Sequence, residues 1–136
     1  MRIEGSIVLV TGGVSGIGYG IAKNLIEKGA FVFVCDLNEE KGKSFESEFS
    51  GKTYFFKVDI TNEDQVKNMV KEIENLKGRI DAVINSAGVA LPGLIATTKD
   101  VHKTDIFKKL FEINTLGTFL VSKYCAKLMI DKNSVI

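Results

Sequence analysis

A glycine-rich turn near the start of the chain constrains the fold more than any other segment. The turn has the sequence TGGVSGIG over residues 11–18. The run before it, Ile7–Val10, is short, mostly β-branched and uncharged, which is typical of a strand buried on both faces of a parallel sheet. Apolar residues then recur with helical spacing at Ile17, Ile21, Leu25 and Ile26. A helix that begins in such a turn presents unpaired N–H groups to a phosphate, so we interpret the turn as a dinucleotide pyrophosphate site.

An acidic residue, Asp36, ends the second apolar run, Phe31–Cys35. In a dinucleotide-binding fold this position faces the adenosine ribose, whose hydroxyls can donate hydrogen bonds to a carboxylate. The same charge would repel a 2′-phosphate, and neither Lys nor Arg occurs between Phe31 and Glu40 to bind one. Asp36 therefore favours NAD over NADP as the cofactor. The alternative is an ordinary strand-end aspartate that forms an Asx turn.

Strands and helices alternate along the chain. The predicted strands cover residues 6–11, 31–35, 53–58 and 80–85. The predicted helices cover about 16–28, about 39–49, a third that starts after an N-cap at Thr61 and ends near Gly78, and a long one from about Asp105 to Met129. We expect the third helix to bury Val66, Met69, Val70, Ile73 and Leu76. The alternation predicts one α/β domain over residues 1–136, with a Rossmann-type, doubly wound parallel sheet in the order 3-2-1-4. That sheet is incomplete, because the chain ends at the start of strand five.

Composition limits the classes of partner. The 136 residues are 45% hydrophobic, and 18 Lys and Arg against 17 Asp and Glu give a net charge of +1. No basic stripe is interleaved with aromatic residues, so we expect no nucleic-acid partner. We interpret the lysines at helical spacing as solvated helix faces: Lys67, Lys71, Lys103, Lys108 and Lys109. No apolar run is long enough to span a membrane, and the lone His102 has no metal-ligating cluster around it.

The cysteines and the start of the chain bear on the compartment. Cys35 and Cys125 each lie in an apolar segment, and buried free thiols in a reducing compartment are the simplest interpretation. The first strand follows Met1 almost at once, which leaves no room for a targeting segment. We therefore expect an intracellular, cytoplasmic protein.

Three further motifs make a family resemblance specific. Asn85-Ser86-Ala87-Gly88 follows the fourth predicted strand, Asp59-Ile60 follows the third, and Asn114 lies in the long helix. With the glycine turn, these motifs resemble those of the short-chain dehydrogenase/reductase family, in the same order and across the whole chain. Taken alone, either asparagine is better explained as a turn former or a buried, satisfied amide. The joint pattern carries the inference.

The resemblance implies a role for each motif. The glycine turn would line the pyrophosphate with Gly12, Ser15, Gly16, Ile17 and Gly18. Asp36 would hold the adenosine ribose, and the adenine would lie between Asp59 and Ile60. The strand-four motif would pass under the nicotinamide ribose through Asn85, Ala87 and Gly88. Asn114, the catalytic candidate in this chain, would kink its helix and hold a water of the proton relay.

A narrower resemblance concerns the substrate. Residues 89–113 run a few positions longer than the usual connection to the asparagine helix and, with the stretch Asn114–Phe119, resemble type II 3-hydroxyacyl-CoA dehydrogenases. The resemblance implies NAD-dependent oxidation of a secondary alcohol, either a short-chain 3-hydroxyacyl-CoA or a steroid alcohol. It also implies a homodimer or homotetramer with the Asn114 helix in one interface, and it adds the mitochondrial matrix as a compartment.

The family's serine and Tyr-x-x-x-Lys motif lie after strand five, which residues 134–136 would only begin. We therefore expect the chain to be the N-terminal half of a dehydrogenase. Tyr124 and Lys127 do not replace the motif, because they are three positions apart and lie on the Asn114 helix; we interpret Tyr124 as a packing or interface residue. A non-catalytic nucleotide-binding or oligomerising half is the alternative. A methyltransferase with a similar sheet would space its glycines differently and lack Asn-x-Ala-Gly.

Overall fold

The computed structural model of the chain describes residues 2–133 and contains a four-stranded parallel sheet in the order β3-β2-β1-β4. The strands are β1 (Ile7–Thr11), β2 (Phe31–Asp36), β3 (Thr53–Lys57) and β4 (Ala82–Asn85). The predicted α/β class and strand order are therefore confirmed. The predicted start of strand five, at residues 134–136, lies outside the described residues.

Three helices follow the first three strands, as predicted: α1 (Gly16–Glu27), α2 (Glu39–Glu48) and α3 (Glu63–Lys77). The predicted long helix is instead divided into three segments. These are α4 (Thr104–Phe111), a π-helical turn (Glu112–Gly117, hereafter the π-turn) and α5 (Thr118–Asp131).

Apolar layers cover both faces of the sheet. On one face, Leu9 and Phe33 pack in a cluster with the buried stripes of α3 and α5. On the other, alternate residues of the same strands, such as Val8 and Val34, pack in a cluster with buried residues of α1 and α2. Because successive strand residues point to opposite faces, strands that are apolar throughout require a cover on both sides. The sheet is therefore doubly wound.

The apolar stripe of α3 follows the prediction except at its end. Val66, Met69, Val70 and Ile73 are buried, and Gly78 ends the helix with a left-handed φ of 75°. The prediction for Leu76 is wrong, because this side chain is 44% exposed. It lies in the last turn of α3 and is not part of the core cluster beneath the helix.

The predicted N-cap at Thr61 is also wrong. Asn62 caps α3, where its Oδ1 accepts a hydrogen bond of 3.0 Å from the Gln65 amide. The Thr61 hydroxyl instead donates to Asp59 Oδ1 at 2.7 Å. Asp59 thus accepts the hydrogen bond of the Thr61 hydroxyl, and Asn62, the next residue in the sequence, caps α3.

None of the helices within residues 2–133 has the length and apolar character needed to cross a membrane. In the same part of the chain, no three His, Cys, Asp or Glu side chains form a group able to hold a metal ion.

Candidate cofactor site

A cavity of about 680 Å³ lies at the carboxyl edge of the sheet, where the strands end. Its wall includes Gly12 with residues 15–18 after β1, residues 35–37 at the end of β2, residues 58–61 after β3 and residues 86–89 after β4. Segments far apart in sequence meet there because parallel strands all present their carboxyl ends at the same edge. Lys109, Glu112 and Ile113 close the wall from α4 and the π-turn.

The glycine turn is shaped by close backbone contacts. A Cβ atom on Gly12, whose φ is 63°, would lie 2.9 Å from the backbone nitrogen of Ala87. A Cβ atom on Gly18 would lie 2.1 Å from the Gly12 carbonyl oxygen. By contrast, Gly16 has a φ of 52° and no neighbouring atom within 4 Å, so its left-handed backbone faces open space on the cavity wall. This open turn at the start of α1 fits a dinucleotide pyrophosphate.

Thr11 joins the glycine turn to the turn after β4. Its Oγ1 accepts hydrogen bonds from the backbone amides of Ser86 and Ala87, both at 3.1 Å, and the residue is 1% exposed. The sequence interpretation gave Thr11 no role. A polar residue at the end of a fully buried strand is the signal that would have indicated one.

Asp36 lies on the cavity wall and also forms the hydrogen bond of the alternative interpretation. Its Oδ1 accepts from the Asn38 amide at 3.0 Å, as in an Asx turn. None of the salt bridges within residues 2–133 includes Asp36. The turn contact and the position on the cavity wall therefore occur together, and within residues 2–133 no salt bridge pairs the Asp36 carboxylate with a cation.

Asp59 and Ile60 lie on the wall after β3. Asp59 Oδ1 accepts from both the amide and the hydroxyl of Thr61, and its own amide donates to Gln65 Oε1. Ile60 is 8% exposed and packs under the π-turn, where a Cβ atom on Gly117 would lie 2.6 Å from Ile60 Cδ1. These contacts fix both residues in place.

Asn85 and Asn114 are the two predicted site residues that do not line the cavity. Asn85 Nδ2 donates instead to Ser122 Oγ on α5 at 3.1 Å. The Asn114 side chain pairs with the backbone of Val89: Oδ1 accepts from its amide at 2.9 Å and Nδ2 donates to its carbonyl at 2.8 Å. The Asn114 carbonyl accepts from the Thr118 hydroxyl at 3.0 Å. Asn114 thus lies in the π-turn and holds the connection after β4.

The sequence interpretation missed the contribution of α4 and the π-turn to the cavity. Lys109 was interpreted as part of a solvated helix face, whereas it lines the cavity together with Glu112 and Ile113. Glu112 and Ile113 directly precede Asn114, which was the available signal for these two, whereas no local pattern indicated Lys109.

A Tyr-x-x-x-Lys spacing occurs within α1, at Tyr19 and Lys23, and the sequence interpretation overlooked it. The Tyr19 hydroxyl donates to Glu48 on α2 at 2.9 Å, and neither residue of the pair lines the cavity. The hydrogen bond to the Glu48 carboxylate raises the pKa of Tyr19 above its ordinary value. A catalytic tyrosinate requires the opposite shift, so this pair is structural.

The Tyr124 hydroxyl donates to Glu63 on α3 at 2.8 Å, and its ring packs against the core. The hydrogen bond to Glu63 raises the pKa of Tyr124. These contacts show a packing role that joins α3 to α5.

Both cysteines are buried free thiols, as predicted. Both belong to the same core cluster. Burial raises the pKa of both thiols, that of Cys125 to about 12. Cys35 lines the cavity, but it is fully buried and its thiol stays protonated at neutral pH.

The sheet order, the cavity at the carboxyl edge and the glycine turn at the start of α1 define the class as Rossmann-type α/β proteins. The chain belongs to the short-chain dehydrogenase family, whose model matches residues 6–135. The name of the family describes dehydrogenases, a class of oxidoreductases.

Curated relatives agree with this assignment. The chain is 39% identical to a zerumbone synthase of Zingiber zerumbet, in an alignment that covers 97% of this chain and 49% of the relative. It is 38% identical to an L-fucose dehydrogenase of Bos taurus, in an alignment that covers 90% of this chain and 44% of the relative. It is 36% identical to a 3-hydroxyacyl-CoA dehydrogenase type-2 of Drosophila melanogaster, in an alignment that covers 93% of this chain and 51% of the relative. The chain spans about half the length of the curated relatives it matches.

Proposed function

We propose that this chain forms the cofactor-binding part of an NAD-dependent oxidoreductase that acts on a secondary alcohol. One observation carries the proposal: the glycine turn, Asp36 and the Ala87–Gly88 backbone line a single cavity at the carboxyl edge of the sheet. The bound nicotinamide would supply the hydride acceptor for the alcohol carbon. The residues of this chain bind and orient the cofactor.

Each wall segment has a physical task in this proposal. The first turn of α1 offers backbone N–H groups and the positive end of a helix dipole to the pyrophosphate. Asp36 accepts hydrogen bonds from the adenosine ribose. Asp59 and Ile60 lie beside the adenine, and the open backbone of Ala87 and Gly88 lies under the nicotinamide ribose. Asn114 holds this last segment in position through Val89. The family resemblance would also give Asn114 a water of the proton relay to hold.

The charges on the cavity wall support NAD rather than NADP. Within residues 2–133, the acidic side chains on the cavity wall are those of Asp36, Asp59 and Glu112, and the one cationic side chain is that of Lys109. A 2′-phosphate placed beside the adenosine ribose would face the Asp36 carboxylate at short range, and like charges in a partly desolvated cavity repel.

The substrate and the assembly are part of the same proposal. The identity to a 3-hydroxyacyl-CoA dehydrogenase type-2 supports a 3-hydroxyacyl-CoA as substrate. A steroid alcohol is the alternative that the family resemblance of the sequence implies. The serine, tyrosine and lysine that complete the chemistry would follow strand five. The protein would act as a homodimer or homotetramer in the cytoplasm or the mitochondrial matrix.

A second candidate function is that of a half-domain that binds a nucleotide and catalyses no reaction. It is favoured by the absence of tyrosine among the cavity-lining residues of the part of the chain that the structure describes. The two candidates are separated by an assay of NAD-dependent oxidation of 3-hydroxybutyryl-CoA, followed by NADH absorbance. Turnover above the protein-free background excludes the second candidate.

Calorimetric titration tests the cofactor assignment. We expect wild-type protein to bind NAD more tightly than NADP, and Asp36→Asn to weaken NAD binding by about tenfold, because hydrogen bonds to a charged group contribute ~1.5–3 kcal/mol. Asp36→Asn should also reduce the discrimination against NADP. Glu40→Gln, four positions further on, removes the same charge outside the cavity and should leave both affinities unchanged. Equal wild-type affinities for NAD and NADP would refute the role given to Asp36.

A further inference from the structure

The charge balance of the cavity wall leaves Lys109 without a role in the proposed function. Asp36, Asp59 and Glu112 make the wall acidic, and Lys109 is the one cationic side chain on it within residues 2–133. The pyrophosphate of a bound dinucleotide would add further negative charge. Because like charges repel strongly in a partly desolvated cavity, an acidic wall that binds such a ligand requires a compensating positive charge.

The ammonium group of Lys109 forms no ion pair within the described part of the chain. Glu112 follows three positions later, a spacing at which side chains on a helix can meet, yet these two groups are not among the salt bridges of residues 2–133. The Lys109 residue is also exposed. Its charge is therefore available to an anionic ligand in the cavity.

The position of Lys109 complements that of the glycine turn. The turn opens α1, which packs with α2 on one face of the sheet. Lys109 lies in α4, which continues through the π-turn into α5, and α5 packs with α3 on the other face. Since the first turn of α1 and Lys109 line the same cavity, a ligand at the carboxyl edge would lie between walls that come from the two faces of the sheet.

The lysine next to it, Lys108, does not share this position. Both lysines are exposed residues of α4, but only Lys109 lines the cavity. With about 3.6 residues per helical turn, Lys109 lies on the same side of the helix as Glu112 and Ile113, whereas Lys108 points in another direction. The two neighbours thus carry the same charge in the same helix and differ in their access to the cavity.

We propose that Lys109 binds the pyrophosphate of the cofactor from the α4 side of the cavity and offsets the charge of the acidic wall. The inference rests on the proposed function and deepens it, because it adds a second source of positive charge to the cofactor site. The dipole of α1 supplies the equivalent of about half an elementary charge at its N-terminus, whereas the lysine supplies a full one. The phosphate groups of an acyl-CoA substrate have the same chemistry, and the test distinguishes the two sources.

Calorimetric titration of the full-length protein with NAD, ADP and adenosine tests the role of Lys109. In Lys109→Gln the affinities for NAD and ADP should fall about fivefold, as expected for one exposed ion pair, and added salt should reduce this loss. Adenosine has no phosphate, so its affinity should not change. Lys109→Arg keeps the charge and should bind all three ligands as wild type does. Lys108→Gln is the matched control and should also behave as wild type.

Other results overturn the inference in distinguishable ways. Unchanged NAD and ADP affinities in Lys109→Gln would refute it alone, and equal losses for ADP and adenosine would indicate a structural role of Lys109. A loss confined to coenzyme A, titrated into NAD-saturated protein, would assign Lys109 to the substrate instead. A loss confined to NADP would assign it to a 2′-phosphate. No NAD binding by wild-type protein would refute the proposed function and the inference together.

Discussion

At the scale of single residues, the space available for a Cβ atom determines which positions in and after the glycine turn require glycine. Gly18 and Gly20 lie two positions apart in α1 and look equivalent in the sequence. A Cβ atom on Gly18 would meet the Gly12 carbonyl oxygen at 2.1 Å, whereas a Cβ atom on Gly20 would meet nothing within 4 Å. The close approach of α1 to the preceding turn therefore depends on Gly18 and not on Gly20.

Gly18 and Gly20 give a prediction in which the substitution at Gly20 is the control for the substitution at Gly18. Gly18→Ala should lower the free energy of unfolding by ~1–3 kcal/mol, because the added methyl group displaces the backbone of the turn, and it should weaken NAD binding. Gly20→Ala should raise the same free energy by ~0.5–1 kcal/mol, since alanine is the better helix former. Urea denaturation measures both. Similar effects of the two substitutions would contradict the packing account.

The sequence predicted individual site residues where a local motif exists. Gly12 directly follows β1 and Asp36 is the last residue of β2, so their place at the carboxyl edge follows from the strand assignments. Lys109 lies in a helix remote in sequence, and its position on the cavity wall depends on how α4 packs against the strand ends. No local pattern contains that information.

At the scale of elements, the largest difference from the prediction by periodicity is the π-turn between α4 and α5, which contains Asn114, where the family resemblance implied a kink. Helical apolar spacing continues through the segment, so the sequence predicts one helix. The interruption coincides with two tertiary contacts, that of Gly117 on Ile60 and that of Asn114 on Val89. Both partners lie far away in the sequence, and periodicity within the helix cannot reveal them.

The Asn114 contact predicts a local effect on dynamics. Asn114→Ala removes both side-chain partners of the Val89 backbone, and we expect the Val89 amide to exchange with solvent at least tenfold faster, because each such bond contributes ~1 kcal/mol. Native-state hydrogen exchange measures the rate. Asn75→Ala, on the exposed surface of α3, should leave Val89 exchange unchanged. Unchanged exchange in Asn114→Ala would show that the side chain does not hold the connection.

An ion cluster between α2 and β3 predicts a pH dependence of stability. Hydrogen bonds from Lys43 and Lys57 lower the pKa of Glu39 from 4.5 to about 2. Since the folded pKa is below the ordinary value, this stabilisation is present above pH 4.5 and is lost as the pH falls towards 2. It is small, because all three side chains are largely exposed.

Thermal unfolding across this pH range tests the Glu39 cluster. The Glu39→Gln variant should melt below wild type at neutral pH and together with wild type near pH 2, and added salt should reduce the difference. Glu40→Gln, one residue further on, takes part in none of the salt bridges of residues 2–133 and serves as the control. A difference between Glu39→Gln and wild type that does not change with pH would contradict this assignment.

At the scale of the whole molecule, the alternation of strands and helices was sufficient to predict the sheet order 3-2-1-4 and the two-sided core. Right-handed crossovers on a parallel sheet leave few other topologies. The connection between β4 and α4 was not predictable in the same way. Its antiparallel bridge between Ala96 and Val101 and the contact of His102 with Gly93 depend on individual residues, whereas the sheet follows from repeated patterns.

The central claim is that the cavity at the carboxyl edge of the sheet binds NAD, and an NMR titration of isotope-labelled protein with NAD tests it most directly. We predict chemical-shift changes for the backbone amides of Gly12, Gly16, Asp36, Ala87 and Gly88. The amides of Gly5, Gly29 and Gly51, which precede β1, β2 and β3 at the opposite edge, should not shift. Saturating NAD that shifts the opposite edge, or leaves the glycine turn unchanged, would contradict the account.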